Sequence, residues 1–478
     1  MTFERVFRFD REDKTMARTF LNPTEFSGDM SGTLAGSIHG HLLVEGDPRY
    51  DEARKVWNGM IDRRPAAIVR PVDELDVQAS VRFAREHQLP LTVKGGGHNV
   101  AGHALADGGL MIDMGLMNGI EVDPTGAIAH IRGGALWRDV DAATARFGLA
   151  TTGGVIPSTG VAGLTLGGGI GWLVGKHGMV IDNLRSVTMV TADGEIVTAS
   201  PTSHPDLFWA VRGGGGNFGV ALSFDIAVYP LDNVLAGVVA YPANDARAVL
   251  EFYRDFVASA PDELTAYAEI ATDVESGMRV VGIAVCWPGD LDEGERLVAP
   301  LRAFGEPLVC EIGPVPYVEW QAAFEHEFPH GRRYYWKSAL LDRLDDCVID
   351  ALVDHACLSE LPWTIAAIEW YRGPMNRVDP AATAFPHRNA QFQLVASSGW
   401  DDPADDAKGP EWARTIHRAV APVSLAGTFH NFDSWGERDD LARAQAAWGA
   451  NLDRLRAIKR GYDPENLFSG NTNIPPAD

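Results

Sequence analysis

Residues 91–102 read LTVKGGGHNVAG. A β-forming run, Leu91 to Val93, leads into Lys94, three consecutive glycines (Gly95, Gly96, Gly97), His98 and Asn99. Glycine backbone takes positive φ freely and lets an anion or a flat ring approach its amides. A histidine at the rim of such a loop can serve as base, metal ligand or point of covalent attachment. Alone, the stretch also reads as a surface turn. Residues 151–172, TTGGVIPSTGVAGLTLGGGIGW, and 213–219, GGGGNFG, change that balance. Three glycine-dense loops in the first half predict one long, flat, phosphate-bearing ligand threaded along backbone amides.

The 478 residues are too many for one core and predict two domains, with a segment that returns to the first. Lys and Arg number 41 against 65 Asp and Glu, a net charge of −24. Such a surface repels phosphate backbones and anionic lipid, which argues against nucleic-acid and membrane partners. The four cysteines form no CxxC pair, so reduced thiols are expected. The first residues lack an apolar core and no apolar run reaches about 18 residues, so a soluble cytoplasmic protein is the expectation.

Along the chain, residues 1–40 read as an arm or short helix. Residues 66–70 form a strand, a helix follows from Pro71 with Asp73 near its start, and it stops at His87 before Pro90. Short alternating runs follow from Met111, then a helix over 136–147. Residues 183–199 read as a hairpin turning at Asp193-Gly194. Residues 220–229 form a strand. Near Pro230 the pattern changes to strands at 235–241, 267–271, 279–287, 364–371 and 392–397, with helices at 244–259, 290–304 and 345–358. A single helix is expected over 435–460, before a packed tail. The class is α+β, with an α/β opening and, past Pro230, a second domain of an antiparallel sheet with helices.

Three familiar patterns fail on context. Gly214-x-Gly216-x-x-Gly219 fits a dinucleotide fingerprint, but that needs a helix next, and VALSFDIAVY is a strand. The stretch 171–176 is one residue short of a P-loop. His326-Glu327-Phe328-Pro329-His330 fits HExxH, yet Pro329 breaks the helix that would put both histidines on one face. No metal site is expected.

Four motifs together resemble a known family: KGGGHN (94–99), GGVIPSTGVAGLTLGGGIGWL (153–173), RGGGGNFGV (212–220) and YDPENLFSGNTNIPP (462–476). They are similar to FAD-linked oxidases of the vanillyl-alcohol-oxidase (PCMH) superfamily, berberine-bridge-enzyme-like branch; AFPHR (384–388) fits the same branch. The resemblance implies an FAD domain of two α/β subdomains over 41–233, a substrate domain over 234–425 whose antiparallel sheet, covered by helices, lies over the flavin, and a tail over 426–478 that returns to the FAD domain. It implies a flavin bound covalently through His98, with His103 a less favoured link. The FAD-contacting set it implies is Lys94, Gly95, Gly96, Gly97, Asn99, Gly102, Gly154, Val155, Ser158, Thr159, Gly160, Gly163, Gly169, Gly171, Trp172, Gly219, Val220, Asn471 and Asn473. Many relatives add a cysteinyl bond, but Ile156 stands at the matching position, which implies a single histidyl link. Thr159 falls where relatives carry a residue associated with oxygen access.

The implied reaction moves a hydride from an alcohol or amine C–H to flavin N5, with O2 as acceptor. Val395 stands where some relatives have a catalytic Glu or Gln, and Phe429-His430-Asn431 where many have Tyr-x-Asn. The remaining base candidates are Glu369, Tyr371, His387 and His430. Gln391 and Gln393 share a face of the next strand. The alternatives are a dehydrogenase using another electron acceptor and a flavin-binding protein without turnover.

Overall fold

A computed structural model describes residues 26–273, 276–434 and 440–478. The first sheet has four strands in the order His41–Leu43, Ala67–Arg70, Leu110–Asp113, Leu91–Lys94. The last three pair in parallel. The crossover helix Glu74–Glu86 begins where Asp73 accepts from the Asp76 amide, a cap worth about 1 kcal/mol. Its apolar face (Val77, Val81, Ala84) packs on the buried sheet residues Ala67, Val69 and Ile112. The chain then leaves Lys94 at the sheet's C-terminal edge, directly into the first glycine loop.

The second sheet is antiparallel throughout, in the order Ile120–Asp123, Ile128–Arg132, Val220–Ala227, Leu184–Val190, Ile196–Ala199. Its Leu184–Val190 and Ile196–Ala199 hairpin turns at Gly194, where φ is +81°. The run after Gly219 is indeed a strand, as its alternation requires.

The third sheet has seven antiparallel strands: Val309–Pro316, Asn233–Pro242, Arg279–Trp287, Thr265–Thr272, Trp363–Trp370, Phe392–Trp400, Arg333–Leu341. Alternation divides its side chains. Ala268, Ile270, Ile368, Trp370, Leu394 and Ala396 face a core closed by the helices Ala246–Ser259, Asp346–His355 and Lys408–Val420. The opposite face looks toward the glycine loops. The strands at 309–316 and 333–341 and the helix at 408–420 were not expected from the sequence.

The single helix expected over 435–460 does not form. Its first residues lie outside the described ones, and the remainder divides into Asp440–Trp448 and Leu452–Tyr462, joined by the 3-10 turn Gly449–Asn451. Gly449, with φ +46°, ends the first. The tail then folds back. Lys459 and Asp463 form a fully buried ion pair at 2.7 Å. The Asp463 carboxylate also accepts from the Leu467 and Phe468 amides, and Lys459 Nζ donates to the Asn217 and Phe468 carbonyls. Among the described residues no helix is long and apolar enough to cross a membrane.

Candidate functional site

One cavity lies where the glycine loops, the tail and the inner face of the seven-stranded sheet meet, with about 1560 Å³ of non-atom space counting its open mouth. Its floor is backbone. A Cβ on Gly96 would stand 2.4 Å from the Gly160 amide nitrogen, so the first two loops touch as only glycines can. Gly95, Gly96, Gly97, His98, Asn99 and His103 come from the first loop, and Gly154, Val155, Ile156, Thr159, Gly160, Gly163 and Gly169 from the second. The third loop gives Gly215, Gly216 and Asn217, and the tail gives Phe468 to Thr472 apart from Ser469. The roof is Tyr267, Trp336 and Glu369 from three strands, beside Phe429 to Phe432.

Other residues implied by the sequence are set back from this cavity. Lys94 Nζ donates to the Ala53 carbonyl at 2.7 Å and lies 3.5 Å from Asp113, bracing the loop. Gly102 packs on Ile61, and Gly171 abuts the Gly153 carbonyl. Ser158 is buried behind Thr159. Trp172 backs Tyr267, with ring centroids 4.8 Å apart. Gly219 and Val220 begin a core strand against Val190. Asn473 Nδ2 lies 3.4 Å from the Asp440 carboxylate. Among the base candidates, His387 is a brace: its Nε2 is 2.9 Å from the Ala447 carbonyl. The His326–His330 segment is a 3-10 turn over Glu325–Glu327, so its histidines do not share a helix face.

Glu369 and Tyr371 do come together. The Tyr371 hydroxyl donates to Glu369 Oε2 at 2.5 Å and lies 3.0 Å from the Gln393 side-chain amide. Gln393 pairs with Glu369 across the strands, and Tyr267 pairs with Glu369 from the other side. Gln393, rather than a residue at Val395, is therefore the polar group this strand brings to the carboxylate. Burial disfavours the charged form and raises the Glu369 carboxyl to about 7, opposed by the Tyr371 hydrogen bond. Burial also holds the Tyr371 and Tyr267 phenols well above 10.

His98 is half-buried with its Nε2 enclosed, and its ring is kept neutral, its pKa lowered to about 3 by burial and then by the charge of His330. Among the described residues its Nε2 has no hydrogen-bond partner. The same is true of Thr92 Oγ1, Tyr267 OH, Trp336 Nε1, His430 Nε2 and Asn471 Oδ1, all on cavity-lining residues. Buried polar groups are normally satisfied. Six orphans around one glycine-floored cavity fit a large ligand with a polar ring edge, as FAD has. Trp336 and Asn217 were missed by sequence reasoning; the first lies on an unexpected strand, and the second sits inside the quoted GGGGNFG.

Residues 65–200 match the family model described as "FAD binding domain", and 429–475 the one described as "Berberine and berberine like". The chain is 32% identical over 462 residues to (R)-6-hydroxynicotine oxidase of Paenarthrobacter nicotinovorans, covering 94% of this chain and 99% of that protein. It is 30% identical over 450 residues to an FAD-linked oxidoreductase of Dictyostelium discoideum, covering 92% and 95%. The crystal structure of 6-hydroxy-D-nicotine oxidase from Arthrobacter nicotinovorans matches with a TM-score of 0.84 at 32% identity, over 92% and 99% of the two chains. Xylooligosaccharide oxidase from Myceliophthora thermophila shares the fold, with a TM-score of 0.84 at 23% identity over 94% and 99%. The orphaned polar rim, the glycine floor and these matches agree, and the chain belongs to the FAD-linked oxidoreductases of the berberine-bridge-like branch.

Proposed function

We propose that this chain is an oxidase that removes a hydride from a C–H bearing a hydroxyl or an amino group, carries its FAD on His98 alone, and uses O2 as acceptor. The observation that carries the reading is a neutral His98, its Nε2 without a partner among the described residues, in the same cavity as Glu369, whose carboxylate Tyr371 bonds from behind. Bound FAD supplies the two-electron acceptor. The Gly95–Gly97 and Gly160 backbone would receive its phosphates, with Asn99 and Asn471 at its polar edges. Ile156 lines the cavity at the second attachment position and none of the four cysteines does, which supports one bond rather than two.

Glu369 is the base. As carboxylate it accepts the O–H or N–H proton of the substrate while Tyr371 donates to its Oε2 and Gln393 steadies the phenol. A base with a pKa near the working pH transfers protons most effectively. The unpartnered Tyr267 hydroxyl offers a hydrogen bond to the same substrate group. The buried face excludes water and strengthens these interactions. His430 lines the cavity beside Gly215, at the start of the 3-10 turn His430–Phe432, and is read as a cofactor contact. Relatives named for oxidising 6-hydroxynicotine and xylooligosaccharide span amines and alcohols. The sheet boundary at Asn233 supports a division into a cofactor-holding part and a substrate-holding part.

Acid precipitation of the purified protein tests the attachment. Yellow colour stays in the pellet and moves to the supernatant in His98→Ala. Colour released from the unaltered protein would overturn the covalent link. Stoichiometric peroxide under air supports O2 as acceptor; a reduced flavin that persists in air, and that a dye reoxidises, would make the chain a dehydrogenase.

A further inference from the structure

Among the described residues no hydrogen bond from another residue holds the His98 ring; aromatic rings do. Trp57 stacks on it, with centroids 4.4 Å apart and planes at 17°. Trp57 also stacks on Tyr334 at 3.9 Å and 9°. Two rings cannot share one indole face at those distances, so the order is His98, Trp57, Tyr334. Trp336 meets the indole edge-on at 5.4 Å, and His330 meets His98 edge-on at 6.0 Å.

Residues 57–59 are bonded in two directions. Toward the glycine loop, the Trp57 amide donates to the Gly97 carbonyl at 3.0 Å and Asn58 Nδ2 to the Val100 carbonyl at 2.7 Å. Toward the seven-stranded sheet, Trp57 Nε1 donates to the Phe328 carbonyl at 2.9 Å, and the Gly331 amide to the Trp57 carbonyl at 2.9 Å. The Gly59 amide donates to the Arg332 carbonyl at 2.8 Å. Asn58 Oδ1 accepts from the Tyr334 amide and its Nδ2 donates to the Tyr334 carbonyl, each at 3.0 Å. Gly59 approaches so closely that a Cβ there would stand 2.1 Å from the Gly331 carbonyl oxygen.

We propose that Trp57, clamped by residues 328–334, is the positioning residue for covalent flavin attachment at His98, so that attachment follows docking of the seven-stranded sheet onto the glycine loop. This rests on the reading of His98 as the attachment point. In the attachment one imidazole nitrogen bonds to the 8α carbon of the flavin. That carbon loses a proton, the imidazole loses its N–H proton, and two electrons enter the ring system; O2 then accepts the two electrons and two protons as peroxide. An imidazole on a glycine loop samples several χ1 and χ2 states, and only some aim its lone pair at the carbon. The stack restricts them, as reacting atoms must be held close and aligned. Burial keeps that lone pair free of a proton.

The test compares Trp57→Phe, Trp57→Leu and His98→Ala. Apoprotein from riboflavin-starved cells is given FAD in air, and acid-stable flavin is followed by fluorescence and by the mass of the intact chain. Trp57→Phe keeps a flat ring and attaches at close to the normal rate. Trp57→Leu binds FAD but attaches at least tenfold more slowly. Normal attachment in Trp57→Leu, or equal slowing in both Trp57 variants, overturns the proposal. Should Trp57→Leu fail to fold, Gly59→Ala decides: it displaces the clamp with Trp57 intact and is expected to slow attachment, and a normal rate there refutes the clamp. Acid-stable flavin in His98→Ala would instead refute the attachment point itself.

Discussion

Glu369→Gln separates the two demands placed on the buried carboxyl. The amide keeps its shape and still accepts from Tyr371, but it cannot ionise. In the folded chain Glu369 titrates at about 7 against an ordinary value of 4.5. Between those values the folded state holds a proton that the unfolded chain has released, so stability falls as pH rises through that window. The distance from 4.5 to about 7, at 1.36 kcal/mol per pH unit, comes to about 3 kcal/mol. Glutamine carries no such penalty. The variant is therefore expected to match the unaltered protein below about pH 4.5, to gain steadily to pH 7, and to hold about 3 kcal/mol of extra stability above it. Urea unfolding at pH 5, 6, 7 and 8 reads the difference directly. Turnover is expected to move the other way: removing the proposed base should lower kcat by about 10²- to 10⁴-fold. Parallel stability curves across that pH range would show an ordinary carboxylate and refute the reasoning.

The remaining predictions use other contacts. Tyr371→Phe removes the hydrogen bond that lowers the Glu369 pKa, so the acid limb of the kcat profile moves to higher pH; an unmoved limb would separate the two groups. Arg388 is buried and bonds both oxygens of Asp182, at 2.7 and 2.8 Å. Arg388→Ala strands that carboxylate and is expected to cost about 3–5 kcal/mol in chemical denaturation. Gly96→Ala forces a Cβ against the Gly160 backbone, so the purified variant should carry less flavin per chain by absorbance while keeping its far-ultraviolet circular dichroism.

Local chemistry made much of this chain legible. Glycine runs, the Asp193-Gly194 turn and the change of pattern near Pro230 each act over a few residues, and the structure has the corresponding loops, hairpin and third sheet. The missed elements lack such local signals. Val309–Pro316 carries Pro314 and Pro316, which suit an edge strand but read as breakers. Arg333–Leu341 is largely buried on both faces, so RYYWKSALL shows no clean alternation. Gly409 and Pro410 obscure the Lys408–Val420 helix, although its first turn accommodates them. In the site, Glu369 and Tyr371 were visible because they stand two residues apart, Glu369 near the end of the strand Trp363–Trp370 and Tyr371 just past it. Trp57 over His98 was not, because the stack depends on partners 41 residues and 277 residues away in the chain. The sequence shows that Val395 lacks the acid or amide of some relatives and that Gln391 and Gln393 share a face, but the pairing of Gln393 with Glu369 depends on strand register, which a sequence does not print.

The tail pinned by Lys459 and Asp463 sets an order in time. Asn471 and Thr472 wall the cavity, yet they are synthesised about 370 residues after the Gly95–Gly97 loop. At about 5–20 residues per second that is roughly 20–75 s of ribosome travel. Through that interval the nascent loop has its strands but not its last wall. The pocket is therefore completed only once residues 471 and 472 have been made, and nonsense truncation before Lys459 should yield a protein that is folded over most of its length and colourless.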